Sequence, residues 1–515
     1  MKNITIVGGG TAGWLTALYA QKMFPTDNIT LIESQEIGIL GAGEGSTPKL
    51  IQFFDFLEIP LEDFIKKTKS TLKVGIKFTN WAKEDGHYYH NFEITDSVLS
   101  QNIFNSVKTY YFVPDVETET IIKLVNDVEY KNTNNYICDN NKIPFIFKDT
   151  LSYDNNKIND FNLYSGYSLH FDARLLANFL SEVGVSRGIK LIEGKVSNVN
   201  SQNNKIYSLD LDNNKNILTD FIFDCTGFAR LLIGKHYNSK WKTFSNQLPM
   251  KKALPFFLEI DKEQIPPYTE AIAMKYGWMW KIPLQHRYGC GYVFDSDYVS
   301  EEEIKKEIED YFKIVPEYPR KDKGAFSFDP GCFEEIWIEN CIAVGLSSGF
   351  LEPLEATSIG QLLSTLQALF VQKHKIFSDD KTIKDILNKK FVKETEYIVD
   401  FLSLHYTTNK NNSEFWTDFN KKNKKSKKLL EEIHLLKNSI LTFKDTNYWF
   451  AQNNYYSVAF GNNIIDYKNI KEIYESHNLK IYEDVLKYST KIKNNVFNNF
   501  IDHSKFLKYM GGLDD

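Results

Sequence analysis

Gly8, Gly10 and Gly13, in the run Gly8-Gly9-Gly10-Thr11-Ala12-Gly13, sit between the β-branched segment Ile4-Thr5-Ile6-Val7 and apolar residues at helical spacing from Thr11 to Met23. A strand, a glycine turn and a helix N-terminus form a site for a pyrophosphate. The turn lets the backbone approach the phosphates, and the first N–H groups of the helix, at Thr11 and Ala12, face the negative charge. Glu33 closes the next apolar run, Ile29 to Ile32, twenty residues beyond Gly13. A carboxylate there accepts both ribose hydroxyls and repels a 2′-phosphate, which favours FAD or NAD over NADP. The spacing does not choose between those two. Phe223-Asp224-Cys225-Thr226-Gly227 and Ala343-Val344-Gly345-Leu346 each end an apolar run at a glycine-bearing turn. Several strand ends converging on one long cofactor suit FAD better than NAD.

These groups need a scaffold, and the chain is long enough to supply one. At 515 residues it corresponds to about three domains or one elaborated enzyme fold. Apolar residues make up 42%, enough for a large core, and charged residues 25%, too few for a charge-dominated disordered chain. A net charge of -6 argues against a surface built to bind nucleic acid. Aromatic residues at 15% fit a large core and also a rigid apolar pocket. The 5 cysteines are widely spaced without a CxxC, so neither structural zinc nor a disulfide scaffold is expected, and the setting is reducing and cytoplasmic. No metal site is expected. The N-terminus enters a strand at once, leaving no room for a signal peptide, and no apolar run reaches the ~18 residues of a membrane span. The βαβ opening predicts an α/β fold with a doubly wound parallel sheet. Residues 71–81 alternate, with Leu72, Val74, Ile76 and Phe78 on one face, and read as one half-buried strand. Residues 131–160 read as surface loop, and helical patterning dominates after residue 360. Lys421 to Lys428, rich in lysine, reads as a solvated helix face.

Several segments together resemble one known family. They are Gly8 to Trp14 (GGGTAGW), Gly41 to Pro48 (GAGEGSTP), His170-Phe171-Asp172-Ala173, Gly277 to Pro283 (GWMWKIP) and Leu346 to Ile359 (LSSGFLEPLEATSI). The chain resembles the flavin-dependent halogenases of the tryptophan-halogenase type, from residue 1 to about 461, most thinly over 95–160 and at the C-terminus. GWxWxIP is the most specific of these signals. The resemblance implies a Rossmann-type, monooxygenase-like FAD-binding fold with a mixed-sheet substrate region and a mostly helical C-terminal part. Residues 1–370 would form the FAD-binding and halogenation module. Its nucleotide-binding segments would be about 1–50, 165–230 and 335–370, interleaved with substrate-sheet segments at about 70–160 and 240–335. Residues 371–515 would cover the substrate.

The resemblance also implies roles. Reduced FAD from a separate flavin reductase would use O₂ and halide to make hypohalous acid, which would pass through the protein to an aromatic substrate. Lys73 and Glu355 would be the catalytic pair. Gly8, Gly10, Thr11, Ala12, Gly13, Glu33, Gly43, Glu44, Ser46, Thr47, Asp224, Gly345 and Ile359 would hold the cofactor, with residues 41–48 acting as a movable strap. Trp278, Trp280 and Pro283 would line the channel. Chemically, an ammonium can polarise hypohalous acid or carry the halogen as a haloamine. A carboxylate opposite it can orient the oxidant and accept the ring proton. Taken alone, Lys73 reads as a solvated lysine and the tryptophans as core.

Two departures concern specificity. The family binds halide on the backbone of a Thr-Gly pair; here the pair is Thr357-Ser358, at the start of a helix expected from Ala356 to Gln372. The extra Cβ leans the preference towards bromide or iodide. His90 and Phe92 match the family's stacking pair, and Tyr448, Trp449 and Asn453 its late substrate segment. The stretch before Tyr448 is short, so the clamp for the amino-acid part of free tryptophan is expected to be missing. Indoles, phenols and similar electron-rich arenes are then the expected substrates. An FAD-dependent hydroxylase and a non-catalytic flavin-binding protein are the alternatives. No nucleic-acid or membrane partner is expected, and a homo-oligomer is compatible with the sequence.

Overall fold

The computed structural model describes residues 1–34, 43–92, 133–148, 157–163, 165–320, 323–439, 449–450, 452–466 and 497–513. A six-stranded sheet carries the glycine turn. Its order is Lys190–Glu193, Asn28–Glu33, Asn3–Val7, Phe221–Asp224, Cys341–Ala343 and Trp337–Ile338. All neighbours run parallel except the last pair. Ile4, Ile6, Phe221 and Phe223 are buried in one core, and Val7, Ile32, Ile222 and Cys341 in another. Both faces are therefore covered, which is why these strands are continuous apolar runs rather than alternating ones. The helices Thr11–Met23 and Ala173–Ser186 pack so closely that a Cβ at Gly184 would stand 2.6 Å from the Trp14 ring. The mixed α/β architecture expected from the sequence is the one observed.

A second, seven-stranded sheet runs Phe326–Ser327, Lys252–Leu258, Tyr288–Phe294, Gly277–Pro283, Tyr268–Met274, Gly75–Thr79 and His87–Asn91. It is antiparallel except where Gly75–Thr79 lies parallel to Tyr268–Met274. Between the two large sheets, Ser168–Asp172 pairs on one side with Gly43–Gly45 and on the other with Thr71–Lys73. The single strand expected over 71–81 is thus two. Thr71–Lys73 joins the small sheet, Gly75–Thr79 joins the large one, and Val74 turns the corner by donating to Pro267 O at 2.7 Å. Splitting the strand covers both of its faces, so Lys73 is not solvated but fully buried.

Two other expectations change. The described parts of 131–160 include a helix, Thr133–Asp139, and a strand pair, Phe145–Phe147 with Phe161–Leu163. Ile143 and Phe145 are buried beside Phe506 and Met510, so a distant partner orders a polar segment. The lysine run is not one helix face. It spans the end of Glu414–Lys422 and the start of Lys427–Asn438, whose N-cap Ser426 accepts from Leu429 N. Helices dominate the described C-terminal part, the longest being Lys381–His405. Among the described residues no helix is long and apolar enough to cross a membrane.

Candidate active site

The first part of the site is the glycine turn. A Cβ at Gly13 would lie 1.8 Å from Gly8 O, one at Gly8 2.2 Å from Cys225 O, and one at Gly9 2.1 Å from Glu33 Oε2. Those three glycines are required by the fold itself. Gly10 differs: a Cβ there would meet nothing within 4 Å among the described residues, and its φ of -79° suits any residue. The open space in front of Gly10, at a helix start that no side chain caps, is the cradle a pyrophosphate would fill. Gly345 brings a third strand end to the same place, since its Cβ would stand 2.7 Å from Ala12 Cβ. Glu33 passes beneath Gly9, and burial raises its pKa. These features fit a dinucleotide such as FAD. Asp224 contributes less directly than expected. Its oxygens accept from Thr226 N and Oγ1, Leu232 N and Ile233 N, so it shapes the turn after its strand.

The short strand Gly43–Gly45 leads to Ser46, which is buried and hydrogen-bonded to Ser168 Oγ at 2.6 Å. Burial, together with the charge of Asp172, raises the Glu44 carboxyl to about 7. Lys73 Nζ donates to Ser46 O at 3.3 Å and lies 5.3 Å from the ring centroid of Phe92. A Cβ at Gly45 would stand only 3.3 Å from that Nζ, so this glycine makes room for the ammonium. Burial pulls the Lys73 pKa down to about 8, against the opposing pull of Glu355.

Glu355 lies in the short 3₁₀ turn Pro353–Glu355, not in the helix, which runs Thr357–Val371. Ala356 separates them in the left-handed region, with φ 52°. A non-glycine residue there is strained, and it breaks the chain so that the carboxylate and the helix start point separately. Among the described residues no side chain caps that helix, which leaves the N–H groups of Thr357, Ser358 and Ile359 available to an anion. His90 Nδ1 lies 2.9 and 3.0 Å from the two Glu355 oxygens. His405 Nε2 lies 2.7 Å from Oε1, a close ion-pair contact without good hydrogen-bond alignment. The carboxylate is buried, which alone would raise its pKa. The two histidines reverse that and hold it at about 2. A carboxylate held so far down is a poor base, and its charge suits it to orienting a cation or a polar molecule. Ligand-type atoms of His90, Glu355 and His405 lie within 4.8 Å of one another. His90 Nδ1 is hydrogen-bonded to the carboxylate, whereas His405 Nε2 meets it as an ion-pair contact only.

The other acid of the same turn, Glu352, is also claimed. It accepts from Tyr406 Oη and from Trp278 Nε1 at 3.3 Å, and Trp278 Nε1 lies 3.0 Å from Tyr406 Oη. Burial lifts Glu352 to about 7. Trp278 and Trp280 are both buried, their rings 6.3 Å apart and inclined at 62°. Pro283 ends the same strand, and its carbonyl accepts from Thr71 Oγ1 at 2.7 Å. His405 and Tyr406, at the end of one helix, thus hold Glu355 and Glu352. Sequence reasoning missed both, because a histidine and a tyrosine in an apolar helix read as core.

Of the late aromatic segment, Trp449 packs under Lys49, whose Nζ lies 4.3 Å from its ring centroid, and over Gly360. Phe450, its neighbour, stacks on Phe401 at 3.7 Å, and Phe401 lies 5.5 Å from His90. Phe450 belongs to the late segment Tyr448-Trp449-Phe450 matched from the sequence, whereas Phe401 was not singled out there. Tyr448, with residues 41–42 and 441–447, lies outside the described residues, as does the side chain of Asn453.

Comparison with known proteins agrees with this geometry. Residues 3–475 match the family model described as tryptophan halogenase. The chain is 32% identical over 437 residues to tryptophan 7-halogenase RebH of Lentzea aerocolonigenes, covering 80% of this chain and 78% of that one. Among solved structures it resembles Xcc4156, a flavin-dependent halogenase from Xanthomonas campestris (TM-score 0.79, 28% identity, 98% of each chain). It also resembles tryptophan 6-halogenase SttH from Streptomyces toxytricini (TM-score 0.85, 25% identity, 99% of each chain).

Proposed function

The chain belongs to the tryptophan halogenase family and is a flavin-dependent halogenase, and on that premise we propose that it halogenates small electron-rich arenes through Lys73. The observation that carries this reading is a fully buried lysine with a pKa of about 8, within the Coulombic pull of an ionised Glu355. FAD, once bound and reduced, supplies the electrons with which O₂ and halide become hypohalous acid. In this reading Gly8, Gly10, Thr11, Ala12, Gly13 and Glu33 hold its nucleotide part. The strap residues Gly43, Glu44, Ser46 and Thr47, with Gly345 and Ile359, close on the rest, and a separate flavin reductase provides the reduced form. Thr357 and Ser358 N–H groups hold the halide. Trp278 and Trp280, braced by Glu352 and Tyr406, separate that site from the arene and keep water out of the path.

At neutral pH Lys73 is mainly an ammonium. It donates a proton to the departing oxygen of hypohalous acid while the halogen passes to the ring, and the resulting amine then takes the ring proton. Glu355 keeps the ammonium aligned and balances its charge. The arene rests among His90, Phe92 and the segment of Tyr448, Trp449 and Asn453, under the helical part after residue 371. Held mainly by stacking, arenes are discriminated by only ~1–3 kcal/mol. Ser358, in place of glycine, biases halide choice towards bromide or iodide.

The test is mass spectrometry of an arene panel, including free tryptophan and indole, with reductase, FAD, NADH and each halide in turn. Halide-dependent products from several arenes, with no strong preference for tryptophan, support the reading. Hydroxylated product formed without halide overturns it in favour of a hydroxylase.

A further inference from the structure

His90 holds a nitrogen that the mechanism above does not use. Its Nδ1 faces both oxygens of Glu355, which as a carboxylate can only accept, so the ring proton sits on Nδ1. In the neutral ring Nε2 is then a lone-pair acceptor. That Nε2 is buried and, among the described residues, has no hydrogen-bond partner, in a side chain only 8% exposed. Buried acceptors are almost always paired, and one left open beside a reactive group calls for a ligand. The other contacts fix the ring firmly. His405 Nδ1 faces Phe401 O at 2.9 Å, so it too carries a proton, and its Nε2 approaches the same carboxylate. The order His405, Glu355, His90, open Nε2 is that of a base oriented by an acid. Phe401, with Phe450 stacked upon it, provides a flat wall 5.5 Å from the His90 ring. Lys73 Nζ lies over Phe92, two residues along, so the halogen source and the open nitrogen flank one short segment.

We infer that His90 Nε2 accepts the proton of a phenolic hydroxyl, making His90 a catalytic base and phenols the preferred substrate class. This rests on the arene-halogenase reading above. A phenolate attacks electrophilic halogen far faster than the phenol, and an imidazole can take the hydroxyl proton as a general base while the ring attacks, although a simple phenol is the weaker acid. The step balances. The hydroxyl proton moves to Nε2. The ring carbon bonds to the halogen as the halogen–oxygen bond of hypohalous acid breaks, and that oxygen leaves as water with a proton from Lys73. The ring proton goes to the Lys73 amine, and Nε2 returns its proton to the phenol oxygen. Halophenol and water are the net products.

The test uses 4-nitrophenol, coloured only as the phenolate, and 4-nitroanisole, which has no proton to give. Difference spectra of the full chain are recorded below the pKa of free 4-nitrophenol. The wild type should produce the phenolate band and bind 4-nitrophenol at least tenfold more tightly than 4-nitroanisole. His90→Phe keeps an aromatic ring and should lose both the band and the discrimination. His90→Gln, which can accept a hydrogen bond but not a proton, should keep part of the discrimination without the band. Equal binding of the two compounds by the wild type, no binding of 4-nitrophenol, or a band that survives His90→Phe would overturn the assignment. Product formation separates the two levels. Halogenated indole without phenol discrimination refutes only His90 as base, whereas no halogenated arene at all refutes the reading on which it rests.

Discussion

Replacing Lys73 by methionine should make the protein more stable and inactive at once. The Lys73 side chain is fully buried, and burial brings its pKa from 10.5 to about 8. At about 1.4 kcal/mol per pK unit, holding the charged form in the folded state costs about 3 kcal/mol. Methionine has a similar shape and no charge to desolvate; it gives up the hydrogen bond to Ser46 O, worth about 1 kcal/mol. The net gain is about 2 kcal/mol. With an unfolding entropy of ~2.1 cal/mol/K per residue over 515 residues, that raises Tm by about 2 °C. The pH dependence is specific. Because the folded pKa lies below the unfolded value, the cost is complete below pH 8 and fades as pH rises from about 8 to 10.5. The stability of the wild type should therefore climb towards that of Lys73→Met over this window. Thermal melts of both proteins from pH 6.5 to 10 measure it. A variant less stable than the wild type by the same margin at every pH would refute the buried-ammonium argument. The halogenation rate should fall over the same alkaline range, as the ammonium is lost.

The glycine turn gives a second expectation. Gly10→Val should melt within about 0.5 kcal/mol of the wild type yet lose FAD binding in fluorescence titration, because its side chain enters open space. Gly13→Ala should instead fail to fold normally, since its Cβ would lie 1.8 Å from a backbone oxygen. Tyr406→Phe removes a buried donor from Glu352 and an acceptor from Trp278, and should cost about 1–3 kcal/mol in thermal melts. In reductase-coupled assays it should also yield less product per O₂ consumed, as the tryptophan wall loosens. Ser358→Gly should shift halide competition towards chloride, read as the ratio of products by mass spectrometry.

What could be read from the sequence was local chemistry. The Gly8–Gly13 turn, Glu33 and the uncapped helix start lie within one βαβ unit, so spacing alone positions them. The GWMWKIP segment was equally legible as a motif, and it forms one strand of the large sheet. Lys73 was not legible from periodicity. Its burial follows from the break at Val74, which depends on pairing with Ser168–Asp172 and on the Pro267 carbonyl, both far along the chain. The charge state of Glu355 was hidden for the same reason. His90 and His405 come from a strand and a helix hundreds of residues apart, and no short-range pattern joins them. The strand pair within 131–160 depends likewise on burial against residues near 506.

The central claim is that Lys73 delivers the halogen after the oxidant has formed elsewhere. The direct measurement follows O₂ consumption and halogenated arene together, for the wild type and Lys73→Met, with reductase, FAD, NADH and halide. The account predicts that Lys73→Met consumes O₂ at the wild-type rate and makes no halogenated product above the level without enzyme. Halogenation by Lys73→Met at the wild-type rate would contradict it, showing that freely diffusing hypohalous acid is the agent and the buried lysine a bystander.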